Sequence, residues 1–240
     1  MREIIKIGDI QIEVRFKPIK NLHLSVHPPN GEVRISSPEF YDVDKIRTYA
    51  ATKLAWIKKE QKKFLAQERE FPRKYLTQES HYFFGERFLL KLEKSTKNKV
   101  SIQGKKLLIQ SRFPEDKKLS HHLLYQFYRR ELRRILKEML VRNARAMDLE
   151  IPDFKIRKMK TKWGSCNSEK NLLWFNIELA KKPMDCIEYV VVHELVHLIE
   201  RHHNKRFVIL LDKFFPNWQA KKQILNELPL RAEEFLYQNS

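Results

Sequence analysis

A chain of 240 residues, 42% hydrophobic and 11% aromatic, can bury one large core or two modest ones, which excludes disorder as its overall state. Two cysteines lying far apart exclude a disulfide framework and favour a reducing compartment. A net charge of +18 invites polyanionic partners, and no apolar run of about 20 residues is present to span a membrane. Met1-Arg2-Glu3-Ile4-Ile5-Lys6 mixes charge with β-formers and has no apolar signal core, so the cytoplasm is the expected location.

In chain order, Ile10, Ile12, Val14 and Phe16 alternate with polar residues, as do Leu22, Leu24 and Val26. Val33 and Ile35 follow Asn30-Gly31, which predicts strands joined by a hairpin at that pair. From Asp44 to about Glu70, the positions of Ile46, Tyr49, Ala50, Leu54, Trp56 and Ile57 predict one amphipathic helix. Phe83 to Leu92 and Val100 to Gln110 read as strands with turns at Gly85 and Gly104. A long helix is expected from Ser120 to about Met147, on an apolar line that includes Leu123, Phe127, Leu132, Leu136 and Leu140. Asp148 to Asp153, with Pro152, breaks the chain, and no repeat or low-complexity segment is visible in the residues. Lys162-Trp163-Gly164-Ser165-Cys166 reads as a tight turn in which glycine permits φ > 0 and tryptophan anchors the loop. The strand-like run Leu172 to Leu179 follows, and Cys166 reads as a small buried hydrophobe in preference to a fourth metal ligand. These elements predict an α+β fold: a β-rich N-terminal region with one helix over residues 1–114, then a helix/sheet catalytic part over 115–240.

His193-Glu194-Leu195-Val196-His197 carries the chemistry. Side chains four apart share a helix face, so two imidazoles can meet one cation while Glu194 projects beside its open position. The helix leads in through Cys186 to Val192 after Lys181-Lys182-Pro183, with Asp185 in its first turn, and is apolar nearly all round. Two histidines and a glutamate on a buried helix are costly unless ligated, at roughly 2–7 kcal/mol for each unpaired group. The alternative is a pair of satisfied core histidines beside a salt-bridged glutamate; the spacing favours a catalytic zinc. On a continued helix His202 would lie about 180° from His193 and His203 about 80° off, so the helix must end near Arg201 for either to reach the metal. His203 is the expected third ligand and His202 the second choice. The interval His197 to His203 matches the long zinc motif of the metzincins, but Glu200 stands where their turn glycine falls, so this turn is built differently. Glu200 shares the face of His193 and His197, where it either orients a ligand or is solvated. Tyr189, one turn before His193, is read as a core residue in preference to an oxyanion donor.

The Trp163-Gly164-Ser165-Cys166 segment, the Val191-Val192-His193-Glu194-Leu195-Val196-His197-Leu198 helix, His203 and Phe207 together resemble the YgjP-like metallopeptidases, relatives of the SprT-like and WLM zinc proteases. The basic strand region, the helix ending Leu54 to Lys59 and the helix carrying Phe127-Tyr128-Arg129-Arg130 fall in the order that family shows. His202 departs from an asparagine, and Lys162 from an arginine; neither change removes a ligand. The resemblance implies a zincin-like catalytic core, with zinc on His193, His197 and His203, Glu194 as general base, and a peptide or protein substrate. It also permits a nucleotide pyrophosphatase, or a protease acting on DNA-bound proteins. Paired cations at Lys58-Lys59, Lys62-Lys63, Arg129-Arg130, Arg133-Arg134 and Lys221-Lys222 fit non-specific nucleic-acid or nucleotide-phosphate binding as well as plain solvation. No helix-turn-helix, zinc-finger or RNP pattern supports sequence-specific recognition.

Overall fold

The computed structural model describes residues 2–27, 31–66, 73–159 and 162–227. The fold is α+β, and the chain forms two compact units, Met1–Arg69 and Glu70–Ser240. No described helix is long and apolar enough to cross a membrane.

In the first unit, β1 (Arg2–Ile7), β2 (Ile10–Lys17), β3 (His23–His27) and β4 (Glu32–Pro38) form a sheet of order β1-β2-β4-β3. β1 with β2 and β3 with β4 are antiparallel, and the central pair β2–β4 is parallel. The register sets Ile5 opposite Ile12, Ile12 opposite Val33 and Val33 opposite Val26, so branched side chains line one face. That face buries Ile12, Val14 and Ile35 against Ile46, Ala50 and Ile57. The β3–β4 hairpin is present, with residues 28–30 of its turn outside the described residues.

The single helix expected from Asp44 is two: α1 (Val43–Thr52), capped by the Asp42 carboxylate on Lys45 N–H, and α2 (Leu54–Ala66). The interruption is local. Thr52 donates its hydroxyl to the Tyr49 carbonyl at 2.7 Å, and the Lys53 N–H turns back to the carbonyl of Ala50 at 3.0 Å. Trp56, placed on the apolar face by periodicity, is 43% exposed instead.

In the second unit, β5 (Ser80–Phe83), β6 (Glu86–Lys94), β7 (Lys99–Gln103) and β8 (Lys106–Ser111) form a sheet of order β5-β6-β8-β7. Its two outer pairs are antiparallel and β6–β8 is parallel. This repeats the topology of the first sheet, down to glycines at positive φ in matching hairpin turns (Gly8 and Gly85, Gly31 and Gly104) and an aspartate N-cap on the next helix (Asp42 and Asp116). The residues themselves do not show the repeat because different apolar side chains satisfy the same alternation.

The 30-residue α3 (Lys117–Ala146) packs its Leu124, Phe127, Leu132 and Leu136 in one core with Phe83, Leu90, Leu107 and Ile109 of the second sheet. That shared core puts the unit boundary at residues 69/70, whereas the sequence reading drew its line at 114. Then come β9 (Asp153–Arg157), β10 (Gly164–Asn167) and β11 (Leu172–Asn176), in a sheet of order β10-β11-β9. Three helices follow among the described residues, α4 (Met184–Ile199), α5 (Lys205–Phe214) and α6 (Trp218–Glu227), with α4 packed against β10, α3, α5 and α6.

Candidate metal centre and active cleft

α4 is almost entirely buried because Ile187, Val190, Val191, Val192, Leu195 and Val196 face core on every side. Its start is held by the β5–β6 hairpin: Phe84 N–H donates to the Ala180 carbonyl at 2.8 Å, and Gly85 lies so close to Pro183 that an added Cβ would meet its Cα at 2.9 Å. Its end is set at Glu200, which adopts extended backbone. The Glu200 carboxylate accepts from His202 N–H at 3.1 Å, and Asn204 caps α5 through Phe207 N–H at 3.0 Å. This turn, made without glycine, brings His203 back over α4.

His193, His197 and His203 each offer a ring nitrogen, and the three atoms lie within 4.8 Å of one another. His202 is exposed and outside this group. His193 Nε2 and His203 Nε2 are 3.1 Å apart. Ligand nitrogens at about 2.0–2.1 Å from a tetrahedral cation stand roughly 3.3 Å from each other, so the spacing fits a shared ion. His197 Nδ1 lies 3.2 Å from the Glu200 carbonyl; donating there fixes the tautomer and leaves Nε2 with its lone pair free. Glu200 thus touches a histidine through its main chain, while its carboxylate serves the turn. His193 Nδ1 is buried with no hydrogen-bond partner among the described residues, a cost of about 1–3 kcal/mol that ligation by the other nitrogen would offset. Burial and the two neighbouring imidazoles push the His193 pKa down to about 3, and burial lowers that of His197, so both rings are neutral, as ligation requires.

Glu194 is 5% exposed, and burial raises its carboxyl pKa to about 8, against a smaller opposing pull from Lys162. Gly164 presses directly on it. A Cβ on Gly164 would lie 2.5 Å from Glu194 Oε1 and 2.7 Å from its Cγ. This corrects the reading of the Trp163-Gly164-Ser165-Cys166 segment as a φ > 0 turn: Gly164 opens strand β10 and is absent from the positive-φ glycines. The turn comes later, at Asn171, which takes φ 44°. Glycine is needed at 164 for close approach, a signal that composition and spacing do not carry.

Around these groups lies a cleft of about 790 Å³, lined by β10, α4 and residues of α6. Tyr189 is both core and lining: its ring stacks on Trp218 at 6.3 Å and meets His193 edge-on at 5.8 Å. Cys166 is half-buried in the wall, with burial pushing its thiol up to about 11, so it is not a thiolate at neutral pH. Trp174, Arg201 and Lys222 also line the cleft. Sequence reading did not single them out for this site, since only the fold brings β11, the end of α4 and α6 together.

The family model for the YgjP-like metallopeptidase domain matches residues 20–228. No curated protein matches the chain. Among solved structures, the metallopeptidase zymogen of Pyrococcus abyssi abylysin is 17% identical, covers 38% of this chain and 90% of its own, and has a TM-score of 0.36. That of Methanocaldococcus jannaschii jannalysin is 20% identical, with the same coverages of 38% and 90% and a TM-score of 0.34.

Proposed function

Since the chain belongs to the YgjP-like metallopeptidase family, we propose that it is a zinc peptidase in which His193, His197 and His203 hold the metal and Glu194 is the general base. The observation that carries this reading is the union of three imidazoles, whose ring nitrogens lie within 4.8 Å of one another, with one buried carboxyl in the same cleft. When bound, zinc supplies Lewis acidity to a scissile carbonyl and makes water a nucleophile near pH 7. Glu194 takes the proton of the attacking water and delivers it to the leaving amine. Burial raises its proton affinity above that of an ordinary carboxylate, which favours accepting that proton. β10 is the edge strand of its sheet, and its residues line the cleft, so an extended peptide lying along it would pass in front of Glu194.

Phosphoanhydride hydrolysis is the less favoured chemistry. It more often uses Mg²⁺ held by carboxylates, and among the described residues the one cluster suited to a metal is made of histidines. A direct test compares release of new amines from a mixed peptide library with release of phosphate or pyrophosphate from nucleoside triphosphates. Peptide hydrolysis abolished by chelation, restored by zinc and reduced at least about 10²-fold in Glu194→Gln is the expected result. Phosphate release with no peptide hydrolysis would overturn the proposal.

A further inference from the structure

Cations in the cleft differ from many on the same unit in making no ion pair. Lys221 binds Asp185 at 2.5 Å, Arg142 binds Glu188 at 2.6 Å and Arg134 binds Glu138 at 3.1 Å. By contrast, Lys162, Arg201 and Lys222 are exposed, line the cleft and make no ion pair with any described residue, Lys222 lying over the Trp218 ring at 5.5 Å. Against them the cleft sets only the buried Glu194 and the exposed Glu169. The three cations are distributed around the histidine cluster. Lys162 lies two residues before β10, and its field reaches Glu194 and His197. Lys222 projects from α6, and its field reaches His193. Arg201 follows the end of α4.

From this arrangement we infer that the cleft selects peptides carrying aspartate or glutamate on both sides of the scissile bond, an inference that rests on the peptidase reading above. A metal beside unpaired cations repels a basic peptide twice over. Carboxylates flanking the cleavage point satisfy the cations instead, and Arg201 offers them a two-pronged donor. The concave, partly aromatic wall of Trp163 and Trp174 concentrates that field relative to an open surface. Side chains of an extended peptide alternate in direction, so the two residues that flank a scissile pair point to opposite sides of the strand, and Lys162 and Lys222 come to the cleft from different elements, the approach to β10 and α6.

The test uses zinc-loaded full-length protein and peptides that share one neutral scissile pair flanked by Glu, Gln or Lys. Each exposed charge pair is worth up to roughly 5-fold, so kcat/KM for the Glu peptide should exceed that for the Lys peptide by at least about 10-fold at ~50 mM salt. The ratio should shrink at ~500 mM salt, where screening is strong. Lys162→Glu and Lys222→Glu, both at exposed positions, should each cut it at least about 5-fold. A wild-type ratio near one, or a ratio that neither reversal moves, overturns the inference. So does loss of duplex-DNA binding in both reversals with an unmoved peptide ratio, which would assign the cations to phosphate. The Gln peptide separates the two levels. If it is cleaved in a Glu194-dependent manner without any acidic preference, only the specificity falls. If no peptide is cleaved, the peptidase reading falls and takes the specificity with it.

Discussion

Replacing Gly164 by alanine isolates the placement of Glu194 from every other property of the site. The backbone at 164 is not in the left-handed region, so alanine adds one methyl group and no torsional strain. That methyl would stand 2.5 Å from Glu194 Oε1, 2.7 Å from Cγ and 2.8 Å from Cδ. Non-bonded carbon contacts settle near 3.5–4.0 Å, so the carboxylate must retreat by on the order of 1 Å. The helix backbone beneath cannot yield easily, because α4 is packed against β10, α3, α5 and α6. A misplacement of about 1 Å costs on the order of 10²-fold in rate, or about 2.7 kcal/mol of transition-state stabilisation. Overpacking also lowers stability, by about 1–3 kcal/mol. None of the atoms nearest the added methyl belongs to a histidine, so zinc content should hold at the wild-type level. Metal analysis, thermal unfolding and kcat/KM on a cleaved peptide read the three quantities separately. Wild-type kcat/KM in a folded Gly164→Ala protein would refute the reasoning, and so would loss of zinc in step with loss of activity.

Three further outcomes are expected. His193→Ala and His197→Ala should abolish zinc binding and His203→Ala should weaken it strongly, while His202→Ala, outside the histidine group, should retain it; elemental analysis after dialysis decides. His81 is 3% exposed, and burial depresses its pKa from 6.5 to about 4, with Arg73 adding to the effect. The folded state resists a proton that the unfolded state accepts, so stability present above pH 6.5 should fall as pH drops toward 4, by up to about 3 kcal/mol; denaturant titrations of His81→Gln should show a flatter profile in that window. Gly8 and Gly85 both sit at positive φ, but an added Cβ meets nothing at Gly8 and Pro183 at Gly85. Alanine should therefore cost about 1–2 kcal/mol at 8 and roughly 1–3 kcal/mol more at 85, as read from unfolding of the unit concerned.

Local periodicity was enough to find most elements. Alternation located β2, β3 and β4, Gly31, Gly85 and Gly104 marked three hairpin turns, and the apolar line of α3 gave a 30-residue helix within a few residues of its ends. The five residues from His193 to His197 also spelled out their own geometry, because a helix makes side chains four apart neighbours whatever surrounds it. What depends on contacts between distant residues was not legible. The repeated sheet topology is a pattern of strand pairing that different apolar residues satisfy equally. Likewise, the second sheet belongs with α3 because their apolar faces share one core, not because of anything in the segment joining them. The return of His203 over α4 depends on how Glu200 and Asn204 close a turn. The need for glycine at 164 arises from a carboxylate thirty residues away in sequence. Proximity of that kind is created by packing, so only the tertiary structure could decide it.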